Sequence, residues 1–110
     1  MTDNIKYTLC VRAIFVAEAQ ILKETGMSMN KKKNDGSVNI NKADLADRLW
    51  DTSIRQIAEA VYPELEKASA EKSVRRCRND VLNALGDESV ATKLSPERQK
   101  IIYDVATDDL

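Results

Sequence analysis

The segment from Ala70 to Leu85 carries the clearest helical pattern in the chain. Ser69 stands where an N-cap belongs, and Gly86 follows at the other end, where a helix often stops in a left-handed conformation. Within these bounds, apolar side chains recur at the spacing that places them on one face of a helix. They are Val74, Cys77, Val81 and Leu85. The segment therefore predicts an amphipathic helix that is buried along one side.

A first helix is predicted from Ile5 to about Thr25, ending at Gly26. Its apolar residues fall on two faces: a broad arc of Tyr7, Cys10, Val11, Ile14, Ile21 and Leu22, and a second stripe of Ile5, Leu9 and Val16 near Arg12 and Lys23. Two apolar faces need two neighbours. Either this helix is central in its own domain, or the second stripe is a homodimer surface. A strand over Tyr7 to Val16 is the third alternative.

Three further helices follow from caps and apolar spacing. Asn41 can cap a short second helix with Leu45, Leu49 and Trp50, and Asp51, Thr52 or Ser53 can cap a third. The third carries a stripe of Ile54, Ile57, Ala58 and Val61, and Pro63 ends or bends it. Ser95 followed by Pro96 starts a last helix with Ile101, Ile102 and Val105 on its apolar side. We expect an all-α, mainly helical fold of about five helices, forming one domain over residues 1–110.

Residues 27–41 show a different pattern. Met27 and Met29 alternate with polar residues, as do Val38 and Ile40, around a turn-like stretch containing Lys31, Lys32 and Lys33. Such alternation around Asn-Asp-Gly suggests a small β-hairpin with a lysine-rich tip. The alternative is a solvated flexible loop, since both arms are weak β-formers.

The composition argues against an enzyme. The chain has no histidine, the commonest general base and metal ligand, and its three glycines form no phosphate-binding loop. Asp44, Asp47 and Asp51 recur at helical spacing, but capping and salt bridges explain them without chemistry. Cys10 and Cys77 have no CxxC spacing and are expected to be buried, reduced thiols. We expect no catalytic residue, no cofactor and no metal site.

No apolar run reaches the roughly 20 residues that span a bilayer, and the N-terminus does not resemble a secretory signal. We therefore expect a cytoplasmic protein with no membrane partner.

The outward face of the Ala70–Leu85 helix carries Lys72, Arg76, Asn79, Asp80 and Asn83. Arginine and asparagine can each form two hydrogen bonds to a base edge, and lysine neutralises phosphate. A helix of this kind after a shorter buried helix is the arrangement of helix-turn-helix proteins. In that arrangement Lys72, Ser73, Arg76 and Asn79 would face bases, and Arg75 a phosphate. Arg78 falls on the apolar side and is expected to be structural, either extending its charged end to solvent or paired with an acid such as Asp47 or Glu59.

Charge is unevenly distributed along the chain. The formal net charge is −1, whereas DNA-binding domains are commonly basic. Basic residues nevertheless predominate in residues 70–84 and 31–42, and the last 25 positions hold six acidic against three basic residues. A basic face with an acidic far side is compatible with double-stranded DNA, and a homodimer through the helix at 5–25 would double the contacts.

Residues 53 to 85 also resemble a known family. An apolar helix leading to Val61-Tyr62-Pro63, a short polar turn, and then Ser73-Val74-Arg75-Arg76-Cys77-Arg78 are similar to the helix-turn-helix of the DNA-binding effector domain of the sporulation master response regulator. The resemblance implies an all-helical DNA-binding domain that pairs on tandem or inverted sites. It places Arg76 at a recognition-helix arginine.

Two functions compete on this sequence. The first is a DNA-binding transcription regulator of phage, plasmid or bacterial origin, with a helix-turn-helix-like segment at 52–85 and a recognition helix at 70–85. Its predicted DNA contacts are Lys72, Ser73, Arg75, Arg76, Asn79 and Asn83, with Lys31, Lys32 and Lys33 adding affinity. The second is a small adaptor or inhibitor that binds a larger protein through the second stripe of helix one or the acidic C-terminal helix.

Overall fold

The computed structural model describes residues 3–27, 40–85 and 94–107, which form four helices. These are α1 (Asp3–Thr25), α2 (Ile40–Val61), α3 (Lys67–Leu85) and α4 (Pro96–Thr107). No strand occurs in these three ranges. The expected all-helical class is confirmed. The strand alternative for Tyr7 to Val16 is wrong, since these residues lie inside α1.

The described ranges contain four helices instead of the expected five. The predicted second and third helices form the single helix α2. Neither glycine nor proline interrupts residues 40–61, and the buried residues Ala46, Trp50, Ile54 and Ile57 continue one stripe across the proposed break. Thr52 bonds back to the Arg48 carbonyl at 3.1 Å, so its hydroxyl is satisfied within the helix instead of capping a new one. Asn41 likewise lies inside α2 and does not precede it. Leu45 is exposed, and Ala46 takes the buried position.

The turn between α2 and α3 is shorter than the sequence suggested. The helix α2 ends two residues before Pro63, and the Leu65 N–H donates to the Tyr62 carbonyl across a tight turn. The next helix begins at Lys67, with the Ala70 N–H donating to the Glu66 carbonyl at 2.8 Å. Ser69 therefore lies inside α3, and its expected role as the N-cap is wrong.

Two expected helix ends are confirmed. Gly26 adopts φ 71°, and its N–H donates to the Leu22 carbonyl at 2.7 Å, which closes α1. At α4, Ser95 Oγ accepts a hydrogen bond from the Arg98 N–H at 3.2 Å, directly before Pro96.

The helices pack around α1 and α3, each of which contacts the other three, whereas α2 and α4 do not contact each other in the part of the chain described. The core contains Ile14, Val11 and Cys10 from α1, Ile54 from α2, Val74, Cys77 and Val81 from α3, and Ile102 from α4, all essentially inaccessible to solvent. Cys10 and Cys77 are buried free thiols, as expected.

The central position of α1 explains its broad apolar arc but not its second stripe. Most of the arc is buried, although Leu22 is exposed. Ile5, Leu9 and Val16 remain 50, 40 and 62% exposed, so the other described helices leave much of this stripe uncovered.

The proposed hairpin falls mostly on residues 28–39, which lie outside the described residues together with Lys31, Lys32 and Lys33. Its last residues, Ile40 and Asn41, belong to α2. Within the described ranges, none of the helices combines the length and apolarity needed to cross a membrane.

Candidate nucleic-acid interface

The helix α3 has one buried face and three polar sectors that meet different surroundings. Ala70, Val74, Cys77 and Val81 are buried and fix its rotation about its own axis. The sector opposite them is the outer face, and the two others flank the core on the α2 side and on the α1–α4 side. The predicted DNA-contacting residues are divided among these three sectors.

The outer face holds a row of polar side chains: Lys72, Arg76, Asn79 and Asn83. The first three are exposed and Asn83 is half-buried. Spacings of four, three and four residues keep these side chains on one side of the helix over about 16 Å. The structure thus brings together four of the predicted residues. We refer to them as the outer row.

On the flank facing α2, both arginines interact with side chains of α2. Arg75 forms an ion pair with Asp51 at 3.1 Å, and both side chains are about half exposed. The Arg78 guanidinium lies over the Trp50 ring, 4.3 Å from its centroid. Arg78 is thus held against α2, as the sequence suggested, although its aromatic partner was not foreseen.

Burial at this position lowers the pKa of Arg78, an effect that the nearby carboxylates of Glu18, Asp47 and Asp51 oppose. Of the two acids expected to pair with Arg78, Asp47 is therefore among the groups acting on it. The Nε atom of Arg78 is buried and, among the described residues, has no hydrogen-bond partner. Stacking and charge therefore hold this side chain in place.

The flank facing α1 and α4 contains Ser73 and Asp80. The Tyr7 hydroxyl donates to Asp80 Oδ2 at 2.7 Å, and Arg98 Nη1 lies 3.6 Å from the same oxygen. The Arg98 guanidinium also lies over the Tyr7 ring, 4.7 Å from its centroid. Tyr7, Asp80 and Arg98 thus join α1, α3 and α4. Burial and the bond to Asp80 raise the pKa of Tyr7 far above its usual value.

Ser73 lies apart from the outer row. It lines a polar cleft of about 350 Å³ with Asn4, Lys6, Tyr62 and Arg98, between the start of α1, the α2–α3 turn and the start of α4. Asp80, assigned to the outward face by the sequence, is also turned towards this side. A tyrosine within a buried stripe needs a hydrogen-bond partner, and that requirement was the one sequence signal for the missed Tyr7–Asp80–Arg98 cluster.

Among the described residues, no group of three or more cysteine or acidic side chains is placed to hold a metal ion. No protein-family model matches this chain, and neither a curated protein nor a solved structure shows significant similarity to it.

Proposed function

We propose that this chain is a DNA-binding regulatory protein that presents the outer row of α3 to the major groove of double-stranded DNA. The observation that carries the proposal is the row itself: Lys72, Arg76 and Asn79 are exposed along one side of a helix. These side-chain types supply one phosphate contact and two bidentate base contacts.

The dimensions of α3 support this proposal. The outer row extends over about 16 Å, which matches roughly five base-pair steps at about 3.4 Å each. The major groove is about 12 Å wide and admits one α-helix. The five residues between α2 and α3 form a short connection, slightly longer than the three to four residues typical of a helix-turn-helix. The resemblance of residues 53–85 to the sporulation regulator's effector domain supports the same proposal.

The charge of α3 also supports binding to an anion. It carries five basic and two acidic residues, although the chain as a whole has a net charge of −1. Arg78 is held on Trp50, so Lys72 and Arg76 are the cations of the outer row. Arg75 can add a phosphate contact by leaving Asp51, because an ion pair between half-exposed side chains contributes little stability.

Among the described residues, each copy offers only three cations for this DNA contact, Lys72, Arg75 and Arg76. A homodimer through α1 would double this number. With about two neutralised phosphates per copy, from Lys72 and Arg75, log Kobs should fall with log salt with a slope near −1.8 for one copy. A dimer bound through both copies should show about twice this slope.

The decisive experiment is fluorescence anisotropy with duplex DNA at low salt. Arg76→Ala should weaken binding by about 1 to 3 kcal/mol on a preferred sequence and relax the preference for the base that Arg76 contacts. Asn79→Ala should relax base preference with an unchanged salt slope. Arg48→Ala is the matched control, since Arg48 is an exposed arginine on α2 paired only with Asp44 one turn away among the described residues. Absence of binding, or an equal effect of Arg48→Ala and Arg76→Ala, would overturn the proposal.

The exposed stripe of Ile5, Leu9 and Val16 favours a second candidate, an adaptor or inhibitor that binds a larger protein and has no DNA contact. This function predicts that no substitution in the outer row has an effect and that a substitution in the stripe abolishes activity in the native host.

A further inference from the structure

Exposed apolar side chains of this chain are concentrated on α1. Four of the seven large exposed hydrophobic residues in the described ranges belong to that helix. Ile5, Leu9 and Val16 form its outer stripe, and Leu22, the exposed end of the broad arc, is 44% exposed on a different side of the helix. A solvent-facing helix side is normally polar. This concentration of apolar side chains therefore indicates a surface that a binding partner covers when the protein functions.

A groove lies next to the N-terminal half of this surface, between α1 and α4. It measures about 400 Å³, and its apolar lining comes from Ile5, Leu9 and Ile101. Thr8 of α1 also lines the groove. The N-terminal half of α1 therefore offers a groove, and the C-terminal half offers a ridge of Val16 and Ala19, which are exposed and lie three residues apart on the same side of the helix.

We propose that a second copy of this chain covers this surface, with the two α1 helices antiparallel. The C-terminal ridge of each copy then packs into the α1–α4 groove of the other. The two-fold axis makes this contact twice, once for each ridge and groove. Both grooves are therefore filled in a closed dimer. This arrangement specifies the homodimer included in the proposed function, but it does not depend on DNA binding.

The charges at the two ends of α1 favour the antiparallel orientation, since Lys100 and Asp104 in the groove pair with each other and Arg12 lies near the middle of α1. Lys23 is exposed in the last turn of α1, beside the ridge. Glu97 lines the groove near the start of α1, where it accepts a hydrogen bond from Asn4. Antiparallel pairing brings each Lys23 to the Glu97 end of the other copy, whereas parallel pairing would place Lys23 beside Lys23.

Lys23 and Glu97 cannot meet within one chain. Asn4, which holds Glu97, and Lys23 are 19 residues apart on a continuous helix, a separation of about 28 Å along its axis. Any energetic coupling between Lys23 and Glu97 must therefore arise between copies, which makes this pair a direct probe of the interface.

The size of the surface predicts a reversible dimer. A helix of 23 residues is about 34 Å long and about 10 Å wide, so its outer side presents about 340 Å² per copy and about 700 Å² in total, below the roughly 1,200 Å² of a stable specific complex and in the range of weak, transient contacts. We expect dissociation in the micromolar range.

Sedimentation equilibrium of the purified full chain, without DNA and at low salt, tests the proposal. The wild type should dimerise in the micromolar range, and Val16→Glu should weaken dimerisation at least a hundredfold. Leu45→Glu is the matched control, because Leu45 is a 45% exposed leucine on α2 outside the stripe and should leave the dimer unchanged. Far-UV circular dichroism establishes that each variant is folded.

Charge reversal then tests the orientation. Lys23→Glu and Glu97→Lys should each weaken self-association about tenfold, since each places like charges at both ends of the interface. An equimolar mixture of these two variants should dimerise about as well as the wild type, because the mixed dimer has opposite charges at both ends.

The proposed dimer would be overturned if the wild type stayed monomeric at protein concentrations 100-fold above the expected dissociation constant, or if the Val16→Glu protein dimerised normally. Either result would indicate that a different protein covers the stripe. A mixture that associates no better than either variant would overturn the antiparallel arrangement. DNA binding by a monomeric wild type would leave the proposed DNA contact standing, so failure of the dimer and failure of the DNA contact are distinguishable.

Discussion

Removal of the Tyr7 hydroxyl should destabilise the protein at neutral pH but much less at alkaline pH. Tyr7 is 6% exposed, and its hydroxyl donates to Asp80 at 2.7 Å. A hydrogen bond to a charged acceptor contributes about 1.5 to 3 kcal/mol, so Tyr7→Phe should cost about 2 kcal/mol at pH 7.

The pH dependence follows from the pKa of Tyr7, which burial and Asp80 raise in the folded protein. Above about pH 10 the unfolded chain releases the phenolic proton while the folded protein retains it. The contribution of Tyr7 is therefore complete below about pH 10 and decreases by about 1.4 kcal/mol per pH unit above it. At pH 11 the cost of Tyr7→Phe should have fallen from about 2 to about 0.6 kcal/mol.

Urea denaturation at pH 7, 9, 10 and 11, followed by far-UV circular dichroism, measures this difference. Other groups that titrate in this range, including Cys77 with its raised pKa, are present in both proteins and cancel in the difference. Tyr103→Phe is the control, because it removes a hydroxyl that bonds the Ala84 carbonyl at 2.9 Å from an exposed side chain. An equal cost of Tyr7→Phe at pH 7 and pH 11 would refute the reasoning.

Two further substitutions test the contact between Arg78 of α3 and Trp50 of α2, and the glycine that ends α1. Arg78→Ala should lower the free energy of unfolding by about 1 to 2 kcal/mol and shift the emission of Trp50, the single tryptophan, because it removes the guanidinium over the indole ring. An unchanged emission spectrum would contradict the stacking, and Arg78→Lys should recover only part of the stability. Gly26→Ala should cost about 1 kcal/mol in urea denaturation, since φ 71° strains any side chain and no atom lies within 4 Å of the added Cβ. A cost above about 3 kcal/mol would indicate a steric clash that this geometry excludes.

The helical class and several helix ends could be predicted from the sequence because their causes are local. Apolar spacing, the glycine after α1 and the Ser95-Pro96 pair act within a turn or two of the backbone. The spacing of Lys72, Arg76, Asn79 and Asn83 likewise follows from the helical repeat alone. Local signals also produced the errors: Asp51, Thr52 and Ser53 can cap a helix, but a continuous buried stripe kept them inside α2.

Only tertiary packing decided which polar residues of α3 reach solvent. Ser73, Arg75, Arg76 and Arg78 lie within six positions of one another, yet Ser73 lines a cleft, Arg75 pairs with Asp51 and Arg78 lies over Trp50. Arg76 alone of these four belongs to the outer row. These partners come from other helices, so no helical wheel could identify them.

The sequence by itself determined that α1 has two apolar faces, because side-chain direction follows the 3.6-residue repeat. It could not determine which face the chain covers. Packing of α2, α3 and α4 buries the broad arc and leaves Ile5, Leu9 and Val16 exposed, since three neighbours around one helix leave part of its circumference uncovered.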